Sequence, residues 1–303
     1  MVAQDSGGTA GSMRPPATFC GTMPAMLTTT RGAFKRLAGR PDDAIDLAEG
    51  AFLIARDEYP ALDISACRAQ IDAMGDEVRP RVAEAGSNPF AIIDALGMYL
   101  FRELGFRGNT EDYFDPRNSY LNDVLERRRG IPITLSIVYM AVAARAGVRV
   151  EGVGFPGHFL VRYADGERRV LIDPYHAGAV LLPDDCRRRL KTTFGRAMPL
   201  EDRYFATASS RQILVRVLGN LKHIYWKRRD HARTLRVIDR VLALKPGDPQ
   251  SIRDRGVVHL RLAHLGSAAE DLETYVRLSP GADDADKVRR QIRSIRRLTA
   301  MLN

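Results

Sequence analysis

The sequence predicts an α+β domain followed by an all-α repeat tail. Three observations carry that expectation. The run GIPITLSIVYMAVAARAG (130–147) is apolar apart from Thr134, Ser136, Tyr139 and Arg145, so it reads as a helix buried on every side. Three strand-like runs follow it: VRVEGVGF (148–155), HFLVRY (158–163) and RRVLIDPY (168–175). Pro246 and Pro280 then stand 34 residues apart, a period of paired-helix repeats.

Taken in order, residues 1–40 form an N-terminal extension, and the first thirty are rich in Gly, Thr, Pro and Met. They lack the charged start and continuous apolar stretch of a secretory signal. Either they are disordered or the start is placed too early. Residues 42–59 have Ile45, Ala48, Phe52, Ala55 and Tyr59 at helical spacing, and Pro60 ends the segment. A second helix begins near Asp63 with Ile64, Cys67, Ile71 and Met74 on one face, which makes Cys67 a core residue. A third covers 89–103. Residues 105–130 are dense in Gly, Asn, Asp and Arg. They read as a loop that satisfies its own hydrogen bonds, or as the wall of a binding cleft.

In the buried helix, Pro132 suits the first turn, where its missing N–H costs nothing, and Gly147 suits the C′ position. Asp165-Gly166 is a strong hairpin signal. A two-residue turn at those positions sets His158 directly opposite Asp173, with Cβ atoms about 4.5–5.5 Å apart. A purely structural His–Asp pair on a sheet face is the equal alternative. Cys186 falls in a surface turn or short helix.

In the tail, a tetratricopeptide register counted from Pro280 puts Gly256, Ala268, Leu272, Tyr275 and Leu278 at small and apolar sites. The preceding copy offers Leu218, Leu221, Tyr225, Ile238, Val241 and Leu244, with Thr234 where Ala268 stands. Residues 285–302 would cap the array. The domains expected are therefore 1–40, 41–205 and 211–303, and the tail is expected to work apart from the front domain.

Residues 211–303 hold 20 Lys+Arg against 10 Asp+Glu. Taken from chain totals of 46 and 37, that leaves 26 against 27 in front. The whole net charge of +9 thus sits in the tail, which fits an acidic protein or peptide partner, or merely a solvated arginine-rich surface. A nucleic-acid partner is not expected, because Tyr225 and Trp226 are the tail's lone aromatic pair where single-strand binding needs interleaved ones. No run of eighteen apolar residues predicts a membrane span. Three scattered cysteines, Cys20, Cys67 and Cys186, point to a reducing, cytoplasmic setting.

The segments RGNTEDYFDPRNSYLNDVLERRRGIPITLS (107–136), GVGFPGHFLVRY (152–163) and LIDPY (171–175) resemble the SirB-type branch of the transglutaminase-like superfamily, bacterial proteins with a papain-like core and tetratricopeptide repeats. The resemblance covers about residues 43–300. It implies a helix N-terminus carrying a nucleophilic Cys, then a strand with its His partner, then a strand with the orienting Asp. His158 and Asp173 match the last two. The Cys position, two residues after Gly130, is Pro132, and no Cys lies between Cys67 and Cys186. Ser136, one turn deeper, is the substitute hydroxyl, or simply a buried hydroxyl bonded to a carbonyl. The implied binding residues around the cleft are Asn118, Tyr120, Asn122, Arg129 and Pro132. No cofactor is expected. A metal site from His158, Asp173 and His176 lacks an evident further ligand, so none is expected. The expected function is a non-catalytic binding and regulatory protein. The alternative is a hydrolase or acyltransferase using His158–Asp173 with Ser136, water or a metal.

Overall fold

The structure, a computed structural model, describes residues 23–165 and 168–302. Its first helix, α1 (Met23–Ala38), lies inside the stretch expected to be an extension. Phe34 and Leu37 of α1 are fully buried in the main core, so the folded unit begins before residue 41.

Side-chain caps start the next helices. Asp46 accepts from Glu49 N ahead of α2 (Leu47–Ala55), Asp63 from Ser65 N and Ala66 N ahead of α3 (Ile64–Glu84), and Asn88 from Phe90 N ahead of α4 (Pro89–Gly97). A π-helical turn, Met98–Glu103, continues α4. The polar segment folds into a short parallel strand pair, β1 (Arg107–Gly108) with β2 (Arg129–Gly130), around α5 (Leu121–Arg127). Then comes α6 (Pro132–Arg145), in which every residue from Pro132 to Ala143 is buried. That is the all-round burial its sequence demanded.

A four-stranded antiparallel sheet follows, in the order β3 (Val150–Val153), β4 (Leu160–Asp165), β5 (Arg168–Asp173) and β6 (Ala179–Leu181). The register differs from the expected one. Asp165 pairs with Arg168 and Val161 with Ile172, two positions away from the expected register; Gly166 and Glu167 lie outside the described residues. His158 therefore precedes β4 and is not directly opposite Asp173. A slip of two positions keeps every side chain on its own face, so the pair still meets. The short β6 carries no strand signal of its own; it is held by pairing to β5. Helix α7 (Pro183–Phe194) buries Cys186 and Leu190 at i and i+4. Cys186 is thus a core residue of a full helix, not of a surface turn.

The tail is α8 (Ser210–Lys227), α9 (His231–Leu244), α10 (Pro249–Arg261), α11 (Leu265–Leu278) and α12 (Ala285–Leu302). The repeat is visible in detail: α9 and α11 begin and end 34 residues apart, and each follows a left-handed residue, Arg229 at φ 58° and Ala263 at φ 59°. Thr234 fills the small site with its hydroxyl bonded to Asp230 O at 2.7 Å. Leu278, expected in the core, is exposed. Ile252, Ala268, Leu272, Tyr275, Val288 and Ile295 form a separate core for α10–α12.

The first helix pair does not stand apart. Ile213, Leu214, Val217, Leu218, Leu221 and Tyr225 of α8 belong to the main core. At Gly50 of α2 a Cβ would lie 2.6 Å from a Leu214 methyl, so any larger residue would force Leu214 to move. Tyr120 and Tyr225 share a hydrogen bond of 2.6 Å, and Arg233 grips Glu58 with two bonds of 2.8 and 2.6 Å. The expected boundary between residues 205 and 211 divides the sequence but not the core.

Candidate active site

Asp173 is the last residue of β5 and is fully buried. The turn Pro174–His176 begins there, with the Asp173 carboxylate as its cap. Oδ1 accepts from Tyr175 N at 3.1 Å and lies 2.9 Å from His158 Nε2. Oδ2 lies 2.7 Å from His176 Nδ1 and also receives Arg189 from α7. Burial alone would push the Asp173 carboxyl up. The His158 hydrogen bond and the charges of His158, Arg189 and His176 outweigh it and hold the carboxyl below the usual carboxylate range.

His158 is set by the turn PGHF. Its N–H bonds Phe155 O at 3.0 Å, and Gly157 supplies φ 68°. The ring is nearly buried, stands edge-on to Tyr175 at 6.0 Å, and borders a pocket of about 460 Å³ with Arg188, Arg189 and Thr193. Tyr175 closes the other side. Its hydroxyl donates to Asn109 O at 3.2 Å, and its ring lies where a Cβ on Gly108 would be, 2.5 Å away.

Single donor atoms of His158, Asp173 and His176 lie within 4.8 Å of one another, a spacing a metal could bridge. Arg189, however, donates to Asp173 and has Nη2 3.2 Å from His176 Nδ1. A guanidinium already compensates the carboxylate there, and it would repel a second cation. The cluster therefore fits a charge-balanced His–Asp–Arg site better than a metal centre.

The profile of the transglutaminase-like superfamily matches residues 65–219, and that of the tetratricopeptide repeat matches 221–293. A UPF0162 protein of Xylella fastidiosa (strain 9a5c) is 40% identical over 257 residues, covering 84% of this chain and 91% of that one. The chain belongs to the UPF0162 family. A Vibrio cholerae member is 26% identical over 254 residues, 84% of this chain and 93% of its own. Human F-box only protein 21 is 30% identical over 216 residues, which is 62% of this chain but 33% of that protein. No solved structure matches. Within the UPF0162 family this chain thus has a transglutaminase-like domain and tetratricopeptide repeats.

Of the residues expected at the site, His158 and Asp173 come together. Pro132 is buried at the first position of α6. Ser136 Oγ is sealed in the core with no hydrogen-bond partner, and so makes no bond to His158. Neither the bond to His158 that serine catalysis would use nor the carbonyl bond expected for it is formed. Asn118 is fully buried and ties its own loop, accepting from Asn109 at 3.0 Å and donating to Asp112 O at 2.7 Å. Tyr120 reaches Tyr225. Asn122 lines a different hollow with Cys67 and Arg128. Arg129 pairs with Glu111 at 2.9 Å. The dense polar segment is mainly a self-satisfied loop. Arg189 escaped the sequence reading, although its place beside the inward Cys186–Leu190 stripe of α7 was a signal.

With Nε2 held by the Asp173 carboxylate, the His158 ring keeps Nδ1 unbonded by any described residue. That arrangement can orient a ligand or activate a proton donor placed against it. Among the described residues no helix is long and apolar enough to cross a membrane.

Proposed function

We propose that the protein is a binding and regulatory module, not a thiol enzyme. In this reading the His158–Asp173 cleft recognises a ligand without acyl transfer, and the repeats hold an acidic protein or peptide. The observation that carries it is Pro132 at the first turn of α6, where the superfamily resemblance calls for a thiol. Cys67 and Cys186 are buried elsewhere, in α3 and α7. Burial raises both thiols above the usual range, which suppresses the nucleophilic thiolate. The positive excess of residues 211–303 supports the acidic partner.

The test is amine incorporation into glutamine peptides, and ester and peptide hydrolysis, by the wild type and by His158→Ala. Equal background rates are expected. Turnover that disappears in His158→Ala would overturn the non-catalytic reading. One observation favours a second reading, hydrolysis through water: the His158 residue borders a pocket that could hold it. The same assay separates the two.

A further inference from the structure

Arg216 lies on α8, the first repeat helix, yet its guanidinium reaches the site of the preceding domain. Nη2 donates to the His158 carbonyl at 2.8 Å, and the guanidinium carbon lies 5.1 Å from the centre of the Phe159 ring. Tyr113 adjoins it. Among the described residues no acid pairs with it, in contrast to Arg189 nearby. Burial of its inner face pulls its pKa below the usual arginine value, the sign of a charge that lacks a counter-charge.

The same face of α8 continues toward the repeats. Arg216, Asn220, His223 and Lys227 recur at i, i+4, i+7 and i+11, one stripe of a helix. Trp226 flanks the stripe about 15 Å from Arg216 at 1.5 Å per residue. Exposed aromatics of the front loop wall it on the other side. Phe114 meets the His223 ring at 5.7 Å and carries Lys227 Nζ over its face at 5.1 Å. Tyr113 meets Phe114 at 5.4 Å and Tyr175 at 6.4 Å, which returns the strip to His158. Tyr113, Phe114 and Trp226 are each at least 40% exposed, a concentration of apolar area that a soluble surface rarely leaves without use.

We propose that this strip binds an extended acidic peptide, with one Asp or Glu side chain on Arg216 at the mouth of the His158 cleft and an apolar side chain against Trp226. A planar guanidinium with free N–H groups matches a carboxylate in a bidentate fork. An extended chain covers the 15 Å separation in about five residues at roughly 3.3 Å each. Arg216 stands between the α8 stripe and His158, which suits a side-chain carboxylate within a chain. The inference rests on the acidic-partner reading above and adds to it the anchor and the path.

The test uses the full chain on an array of acetylated, amidated octapeptides carrying Glu or Gln at each position. Trp226 is the only tryptophan, so its fluorescence gives solution affinities for the selected peptides. The wild type should prefer Glu at one position and an apolar residue about five positions away. Arg216→Gln should lose the Glu preference, about tenfold in affinity, and keep the apolar one. Gly154→Ala is the second variant, because a Cβ there would come 3.0 Å from Arg216 Nη1 and shift the guanidinium by a few tenths of an ångström while leaving its charge. It should weaken binding several-fold. An undiminished Glu preference in Arg216→Gln overturns the proposal, as does displacement of the peptides by oligothymidylate at lower concentration. If Arg216→Gln changes nothing but Trp226→Ala abolishes binding of acidic peptides, the anchor falls and the acidic-partner reading stands. If no peptide binds, both fall.

Discussion

Truncation after Ser209 should unfold the remaining chain, although the sequence there suggests a domain boundary. The helix removed, α8, contributes Ile213, Leu214, Val217, Leu218, Leu221 and Tyr225 to the main core, none more than 5% exposed. Burying one such side chain is worth about 1.5–3 kcal/mol, so the six together amount to roughly 9–18 kcal/mol. A domain's whole stability is about 5–15 kcal/mol. The truncated chain also loses the Tyr225 partner of Tyr120 and the Arg233 partners of Glu58. Truncation after Gly247 instead removes α10–α12 and their separate core, and leaves the main core whole. The assay is urea unfolding followed by near-ultraviolet circular dichroism, with amide dispersion by NMR. The longer fragment should unfold cooperatively, and the shorter should show no transition. A cooperative transition in the chain ending at Ser209, with stability within about 2 kcal/mol of the longer fragment, would refute the shared core.

Three further outcomes follow from the site and its supports. Asp173→Asn should cost about 3 kcal/mol, because His158, His176 and Arg189 lose a buried counter-charge; urea unfolding measures it. The folded carboxyl titrates below its unfolded value of about 3.9, so its contribution is complete above that pH and is lost as pH falls through the folded value. The gap between Asp173→Asn and the wild type should narrow in that acid window. Pro132→Cys should create a thiol at a helix N-terminus that, although buried like Cys67 and Cys186, ionises at lower pH than they do, and peptide-resolved alkylation across a pH series should show it reacting from a lower pH. Tyr225→Phe strands the buried Tyr120 hydroxyl and should cost about 1–3 kcal/mol, while the double change with Tyr120→Phe should cost less than the sum of the two.

Elements whose local chemistry agrees with their place were legible in the amino-acid order alone. Pro132 and an unbroken apolar run specify a buried helix, and the start near Asp63 is one that the structure keeps, whereas the helix expected from 42 begins only at Leu47, after the Asp46 cap. The 34-residue period reappears to the residue in α9 and α11, because each repeat packs its neighbour in the same way. The hairpin between the two strands brought His158 and Asp173 to one end of the sheet, though its register was two residues off and the PGHF turn, not strand alternation, sets the His158 ring. What the tertiary structure decided were relations between distant segments. That Arg189 closes on Asp173, that Arg216 reaches His158 O, and that α8 enters the main core all depend on helix positions no local pattern encodes. The polar loop shows the same limit: density of Asn, Asp and Tyr signals many hydrogen bonds, but only the folded chain reveals that Asn118 and Tyr120 spend theirs on the protein itself.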